Sequence, residues 1–542
     1  MRPSISDLQG RLEAFLAQSG TEPSLARSGT EPSLARPGTE PSLARPGTEP
    51  SPAGPAPAPA PAPAASTPAP RPSTLALGGI RPLNGSGPTR AFTLPGDDLV
   101  THGVILGMTG SGKTGLLVVL VEEALRAGVP VLMIDIKGDM PNLFLTFPGL
   151  CAAEFEPWLD RSALAHGSGS RQEAARAAAE RWRSYLAPWG LGPPQVAALR
   201  AAVAPRLFTP GSMAAEPLHV LSSLEHPHPL WATDVEAARE ALSASVSLLL
   251  RLIGRDPDPT RSRDHVLLSL LAERRLRDGL GADVASLLED VRHPPLERIG
   301  AMAVHEFVSK RERLALAKAL NTLLASPTFE SWRTGATLDV ASWLAPRADG
   351  RAAATIVSVA HLDDAERTLV LGIVLDQVLA WVRTQPGTQH LRALLVFDEV
   401  YGFVPPHPAN PPTKRPLVSL MKQARAYGLS VLLATQNPMD LDYRALSNAG
   451  FWCAGRLATD ADRERVVSAM ATNSGPCAVE PSELAQVLKG LTPRWFLMRN
   501  VHRSPGLALL QSRTTLCWLR GPMTRADLQR LAGGIRGGGG AG

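Results

Sequence analysis

Short apolar runs alternate with longer segments whose apolar residues recur at every third or fourth position. Uninterrupted runs of this kind are typical of strands buried on both faces of a parallel sheet. Helical periodicity is clearest in residues 115–127 and 364–383. The alternation predicts an α/β fold, with a mostly parallel sheet flanked by helices. The predicted strands are residues 104–106, 131–134, 206–212, 353–359, 394–397 and 428–438.

Strand patterns vanish between about residues 234 and 333, where the periodicity is helical. We therefore predict a helical insertion that interrupts the sheet-forming part of the chain. The predicted division is a first core segment, the insertion, a second core segment and a short tail. These span residues 91–215, 216–350, 351–522 and 523–542.

The first 90 residues have a different composition. From Ser19 the unit Ser-Gly-Thr-Glu-Pro-Ser-Leu-Ala-Arg repeats every nine residues, and an Ala-Pro run covers residues 52–65. Such sequence is too polar and too rich in proline to build a core, so residues 1–90 are predicted to be a disordered tail. Residues 4–17 place apolar side chains on one helical face. They are either a docking helix for a protein partner or a marginal helix without one.

Residues 103–114 form the motif around which the chain is organised. An apolar strand, a turn and the start of a helix meet the pattern G-x-x-x-x-G-K-[ST] with Gly107, Gly112, Lys113 and Thr114. Glycines let backbone N–H groups turn toward a polyphosphate, the lysine reaches phosphate oxygens, and the hydroxyl can ligate Mg²⁺. A chance Gly/Ser loop is the alternative, but the flanking strand and helix favour a nucleotide site.

Two later strands end in polar residues that complement this loop. Residues 394–397 lead into Asp398 and Glu399, which can hold a water on Mg²⁺ and polarise the attacking water. Apolar strands ending in two acids are common, so this pair gains weight only beside the loop at Gly107. Gln436 ends another strand and can sense the γ-phosphate or simply cap a turn.

Composition narrows the class of protein. The 542 residues carry a net charge of +5 and a pI of about 9.2, which permits nucleic-acid contact, but no dense Lys/Arg block is present. Four widely separated cysteines fit neither a Cys-x-x-Cys metal site nor a disulfide scaffold. Apolar stretches of membrane-spanning length, roughly 18 residues, are absent. We therefore expect a cytoplasmic protein that does not enter a membrane.

Five motifs in order carry a resemblance to a known family. They are G-M-T-G-S-G-K-T, D-I-K-G-D after the next strand, V-F-D-E, K-Q-A-R-A-Y-G-L-S and L-L-A-T-Q-N-P. Together they resemble the HerA/FtsK superfamily of P-loop ATPases, and in particular the HerA-like helicase group. The resemblance extends over residues 91–522, with a looser match in the helical insertion.

The resemblance implies a RecA-like core that assembles as a ring, usually a hexamer, and couples ATP hydrolysis to DNA translocation. Asp398 and Thr114 match the Mg²⁺ ligands, Glu399 the catalytic glutamate and Gln436 the polar sensor. Arg425 matches a trans-acting arginine. Arg456 is a second position where relatives often carry an arginine, and it is the alternative candidate for that role. The residues implied in ATP binding are Gly107, Thr109, Gly110, Ser111, Gly112, Lys113 and Thr114.

The sequence also departs from the family pattern. Neither the β-barrel that precedes the core in archaeal HerA proteins nor the winged helix of FtsK is evident. Three functions therefore stay open. They are a ring-shaped DNA translocase, an ATPase that moves or remodels protein as secretion and conjugation ATPases do, and a nucleotide-dependent scaffold.

Overall fold

The computed structural model describes residues 74–538, apart from residue 86 and the segments 160–169, 226–230, 232–233, 438–440, 443–446, 472–478 and 504–505. The nonapeptide repeats and the amphipathic segment 4–17 lie outside the described residues.

Fifteen strands occur in the described part of the chain, of which eleven share one sheet. The strands are β1 Thr74–Arg81, β2 Arg90–Pro95, β3 Gly103–Leu106, β4 Val131–Asp135, β5 Val203–Phe208, β6 Leu218–His219, β7 Arg298–Ile299, β8 Met302–Ala303, β9 Ala336–Thr337, β10 Ala352–Ser358, β11 Ala393–Phe397, β12 Leu429–Thr435, β13 Phe451–Ala454, β14 Trp495–Asn500 and β15 Leu507–Ser512.

Helices connect and cover these strands. They are α1 Lys113–Arg126, α2 Ala152–Phe155, α3 Arg171–Leu186, α4 Pro193–Ala202, α5 Val235–Leu252, α6 Arg263–Arg277, α7 Val284–Arg292, α8 Val304–Phe307, α9 Lys310–Ala325, α10 Glu330–Arg333, α11 Val340–Leu344, α12 Asp364–Arg383, α13 Lys414–Gln423, α14 Asp460–Ala471, α15 Pro481–Gly490 and α16 Arg525–Gly538.

The large sheet has the order β2-β1-β15-β14-β13-β3-β12-β11-β4-β10-β5. Its seven strands from β13 to β5 are parallel, and the remaining four extend the sheet antiparallel. Alternate side chains of the apolar strands enter cores on opposite faces, as Val104 and Ile105 do. The α/β prediction is therefore confirmed, and the parallel part is a RecA-like P-loop core.

Helices cover both faces of the sheet. One core combines strand residues with α1, α3, α4 and α16, and the other combines them with α12, α13 and the insertion helices. The P-loop helix α1 is thus packed on one face, while the helix before the sensor strand, α13, packs on the other. Among the described helices, none is long and apolar enough to cross a membrane.

The region predicted as a helical insertion contains α5 to α11. Five of these helices start at residues whose side chains accept hydrogen bonds from first-turn amides, which satisfies otherwise unpaired donors. One of the five is Asp339, before α11. The other four are Asp234, Ser262, Asp283 and Ser309. The expectation that strands are absent between about residues 234 and 333 is wrong in detail, since β7 pairs with β8 there. Strands β6 and β9, which flank that range, pair with each other. Two-residue strands are too short to show periodicity.

Folded structure is already present at Thr74, whereas the sequence predicted its start near residue 91. Leu75 and Leu77 of β1 are fully buried, and β1 pairs with both β2 and β15. A buried ion pair joins Arg513, which follows β15, to Glu122 and Glu123 of α1 at 2.9 Å each. Glu123 also accepts the N–H of Ala76, so β1 is tied to the P-loop helix. The β1–β2 hairpin was not predicted because residues 74–95 are rich in proline and glycine, as linkers are.

The predicted tail of residues 523–542 contains helix α16. Its Leu528 and Leu531 are buried against the sheet-facing core. The Met523 N–H donates to the carbonyl of Gly138 at 2.9 Å, close to the loop after β4. This segment is therefore part of the folded core up to Gly538.

Candidate nucleotide-binding site

The glycine-rich loop connects the end of β3 to the start of α1. Gly110 and Gly112 have φ of +81° and +93°, in the left-handed region that glycine adopts without strain. A Cβ on Gly107 would fill the turn and collide with the Ser111 side chain. Backbone N–H groups of residues 108 and 494 fix the loop by donating to the carbonyls of Arg456 and Ser111, both at 2.8 Å. The loop is thus a pre-formed cradle at a helix N-terminus.

The two predicted acids meet this cradle because of the strand order. Strand β12 lies between β3 and β11, so the carboxyl ends of these strands share one edge of the sheet. Asp398 directly follows β11 and is 2% exposed, and among the described residues its Oδ1 has no hydrogen-bond partner. Glu399 is next, with a φ of +62° that is strained for a residue with a Cβ.

Glu399 is held on both carboxylate oxygens. Its Oε2 accepts a hydrogen bond from Lys137 Nζ at 2.7 Å, and its Oε1 accepts one from the Thr435 hydroxyl at 3.1 Å. Lys113 Nζ lies 3.9 Å from Oε2. Burial alone would raise the pKa of Glu399, but the bond from Lys137 and the charge of Lys113 outweigh it and lower the pKa. The carboxylate is therefore ionised near neutral pH.

Lys113 and Asp398 are buried charges that compensate each other. Burial lowers the pKa of Lys113, and the charges of Asp398 and Glu399 oppose that change. Burial raises the pKa of Asp398, and the charge of Lys113 opposes this increase. Such paired, desolvated groups are concentrated at functional sites.

Gln436 also reaches the loop. The Thr109 hydroxyl donates to Gln436 Oε1 at 2.8 Å, which links the sensor strand to the cradle. Thus the structure places Gln436 beside the loop and beside Glu399.

The two arginines lie at opposite ends of the parallel strands, Arg456 at the carboxyl end and Arg425 at the amino end. Arg456 follows β13 beside the loop of its own chain, and its side chain is exposed. Arg425 is also exposed and lies before β12 begins, lining an open groove of about 990 Å³ with Lys422 and Tyr427. Leu429 and Thr435, the ends of β12, are six residue steps apart, a span of roughly 20 Å. Arg425 therefore cannot reach the cradle of its own chain.

Three further residues adjoin the site. Lys137 and Asp139 follow β4, and Arg494 packs against Gly112 of the loop. The D-I-K-G-D motif pointed to the first two, since charged residues at the end of a parallel strand lie where such sheets bind ligands. Nothing in the sequence pointed to Arg494, which precedes the antiparallel strand β14.

The site has the chemistry to take a nucleoside triphosphate with Mg²⁺. The glycine cradle and Lys113 suit phosphate oxygens. Thr114 at the start of α1 and the unpartnered carboxylate oxygen of Asp398 are hard oxygen donors of the kind Mg²⁺ prefers. Asp139 has a second buried carboxylate oxygen with no hydrogen-bond partner in the described part of the chain.

Comparison with known families agrees with the motifs. Residues 89–151 match the family described as helicase HerA-like C-terminal. This confirms the resemblance to the HerA/FtsK superfamily. No curated protein matches the chain in sequence.

The chain is also similar, at low sequence identity, to several solved structures. They include the bacterial conjugative coupling protein TrwB (12% identity, 80% of this chain and 90% of that one, TM-score 0.42). VirB4 of Thermoanaerobacter pseudethanolicus matches at 13% identity over 82% and 96% of the two chains, with a TM-score of 0.44. The genome packaging NTPase B204 of Sulfolobus turreted icosahedral virus 2 matches at 14% identity over 30% and 68%, with a TM-score of 0.22.

Proposed function

We propose that this chain, a P-loop ATPase of the HerA/FtsK superfamily, is a ring-forming motor that couples ATP hydrolysis to movement along double-stranded DNA. The ring is expected to be a homo-oligomer, by resemblance a hexamer. ATP is the substrate and Mg²⁺ the cofactor.

Each residue of the site has a task in this proposal. Lys113 and the loop amides bind the phosphates, and Glu399 accepts a proton from the attacking water. Thr114 and Asp398 would hold Mg²⁺, which neutralises charge on the phosphate oxygens. Gln436 contacts the loop through Thr109 and so can report the state of the cradle to strand β12.

The position of Arg425 is the observation that supports a ring-shaped assembly. An arginine on the sheet edge opposite the cradle can meet developing phosphate charge only in a neighbouring subunit. Arg456 lies next to its own cradle and would act within one chain. A ring therefore accounts for both arginines, whereas a monomer leaves Arg425 without a role in hydrolysis.

The choice of DNA as the track rests on the family resemblance and on the basic pI. The matching family carries the word helicase in its description. A chain with a pI of about 9.2 is also suited to a polyanion. An ATPase that moves protein, or a nucleotide-dependent scaffold, would share the nucleotide site but not a response to DNA.

Turnover with and without DNA separates these functions. We expect double-stranded DNA to stimulate ATP hydrolysis, and the DNA affinity to fall steeply from low to physiological salt because phosphate contacts release counterions. The measurement is steady-state ATPase rate across a salt series, with DNA binding by fluorescence anisotropy in parallel. Turnover that ignores DNA at every salt concentration would favour a protein substrate. Slow turnover that does not respond to DNA would favour the scaffold, in which hydrolysis only times an assembly.

A further inference from the structure

Side chains from two other segments of the chain hold the Glu399 carboxylate. Both oxygens are occupied, Oε2 by Lys137 at 2.7 Å and Oε1 by Thr435 at 3.1 Å. Thr435 belongs to β12, the neighbour of β11, whereas Lys137 lies 262 positions from Glu399 in sequence. Of these two partners, only Lys137 adds a full charge at hydrogen-bonding distance.

The loop that carries Lys137 is fixed from three sides. Buried Asp135 accepts the N–H groups of Gly138 and Asp139 through Oδ1, at 2.9 and 3.1 Å. Its Oδ2 accepts the Ser358 hydroxyl of β10 at 2.7 Å. The C-terminal segment adds the bond from the Met523 N–H to Gly138. A loop anchored in this way places the Lys137 ammonium at a defined point, although the side chain itself is 37% exposed.

The strained backbone at Glu399 does not by itself fix the orientation of its carboxylate. A φ of +62° is a strained conformation, which is retained only when its surroundings enforce it. A carboxylate with free rotation would spend part of its time away from the water that it must deprotonate. Misplacement of a catalytic group by about 1 Å costs roughly 10²-fold in rate.

We propose that Lys137 is a positioning residue for Glu399, which holds the carboxylate in the orientation needed to accept a proton from water. The inference rests on the proposed function, in which Glu399 is the general base. It differs from a role for Lys137 as a phosphate ligand, because it predicts an effect on turnover without an effect on ATP affinity.

The test compares Lys137→Met, Lys137→Arg and the double variant Lys137→Met/Glu399→Gln in the full-length protein. We expect Lys137→Met to lower kcat by about 10²-fold while the Kd for a fluorescent ATP analogue stays unchanged. Lys137→Arg should recover most of the lost turnover, because a guanidinium also pairs with a carboxylate. In the Glu399→Gln background, Lys137→Met should change the residual rate no further.

Three results would overturn the inference. They are a loss of ATP affinity that accounts for the fall in kcat/KM, an undiminished effect of Lys137→Met in the Glu399→Gln background, and wild-type turnover of Lys137→Met. Lys318→Met, an exposed lysine on α9, is the matched control for loss of one positive charge. Thermal melting of every variant shows whether the fold is retained.

The same series separates this inference from the proposed function. If Glu399→Gln is inactive and Lys137→Met is fully active, only the inference about Lys137 fails. If Glu399→Gln turns over at the wild-type rate, or the wild type hydrolyses no ATP, the assignment of the site fails and the inference fails with it.

Discussion

Replacing Glu399 with glutamine should leave ATP binding intact and reduce hydrolysis by about 10³-fold, within the range that general bases contribute. Glutamine keeps the size of the side chain and can still accept a bond from Lys137, but its amide cannot take up a proton. Equilibrium binding of a fluorescent ATP analogue and single-turnover hydrolysis measure the two effects separately. Glu464→Gln, an exposed residue of α14, controls for the loss of one negative charge.

Lys113→Ala provides the complementary case. The Lys113 side chain is 6% exposed and lies among Asp398, Glu399 and the loop. Its removal leaves those carboxylates facing the phosphates without the neutralising charge, so ATP binding should be lost or greatly weakened. Equal nucleotide affinity and normal turnover in both variants would show that ATP is bound elsewhere.

Arg425→Ala should keep ATP binding and lose turnover by about 10³-fold, the lower end of what arginines acting in trans supply. The reason is positional, because Arg425 lies at the sheet edge opposite the cradle and can reach only another subunit's phosphates. Arg311→Ala on the insertion helix α9 is the matched surface control. Loss of ATP binding in Arg425→Ala would instead indicate a structural role, such as capping the turn before β12.

Mixing two inactive variants tests directly whether Arg425 acts in a neighbouring subunit. A ring of Arg425→Ala and Glu399→Gln subunits contains interfaces with an intact Glu399 on one side and an intact Arg425 on the other, so activity should partly return. Arg456 lies beside its own cradle, so mixing Arg456→Ala with Glu399→Gln should restore nothing. Mixed rings without recovered activity, or a wild-type protein that is monomeric and active with ATP, would contradict the role of Arg425.

The sequence predicted the strands and helices that carry strong local signals. Helix α12 spans Asp364–Arg383 as the periodicity indicated, and Asp363 caps it by accepting the N–H of Glu366. The buried strands β3, β4, β10, β11 and β12 were recognisable because apolar side chains face a core on both sides. The loop, Asp398, Glu399 and Gln436 were predicted from motifs, and the strand order explains why they meet.

Contacts between residues that are far apart in sequence could not be predicted from local sequence patterns. Strand β1 is held by Glu123 and Arg513, which lie 47 and 437 residues from Ala76, and its own composition resembles a linker. The ion pair of Lys137 with Glu399 joins two segments whose contact follows only from the pairing of β4 with β11. Local periodicity carries no information about either contact.

The most direct test of the central claim is displacement of a triplex-forming oligonucleotide from a long DNA duplex. A motor that moves along DNA should release the third strand in the presence of ATP and Mg²⁺, and release should cease with Glu399→Gln or with a non-hydrolysable ATP analogue. If the wild-type protein binds DNA and hydrolyses ATP but never displaces the third strand, the chain is not a DNA translocase.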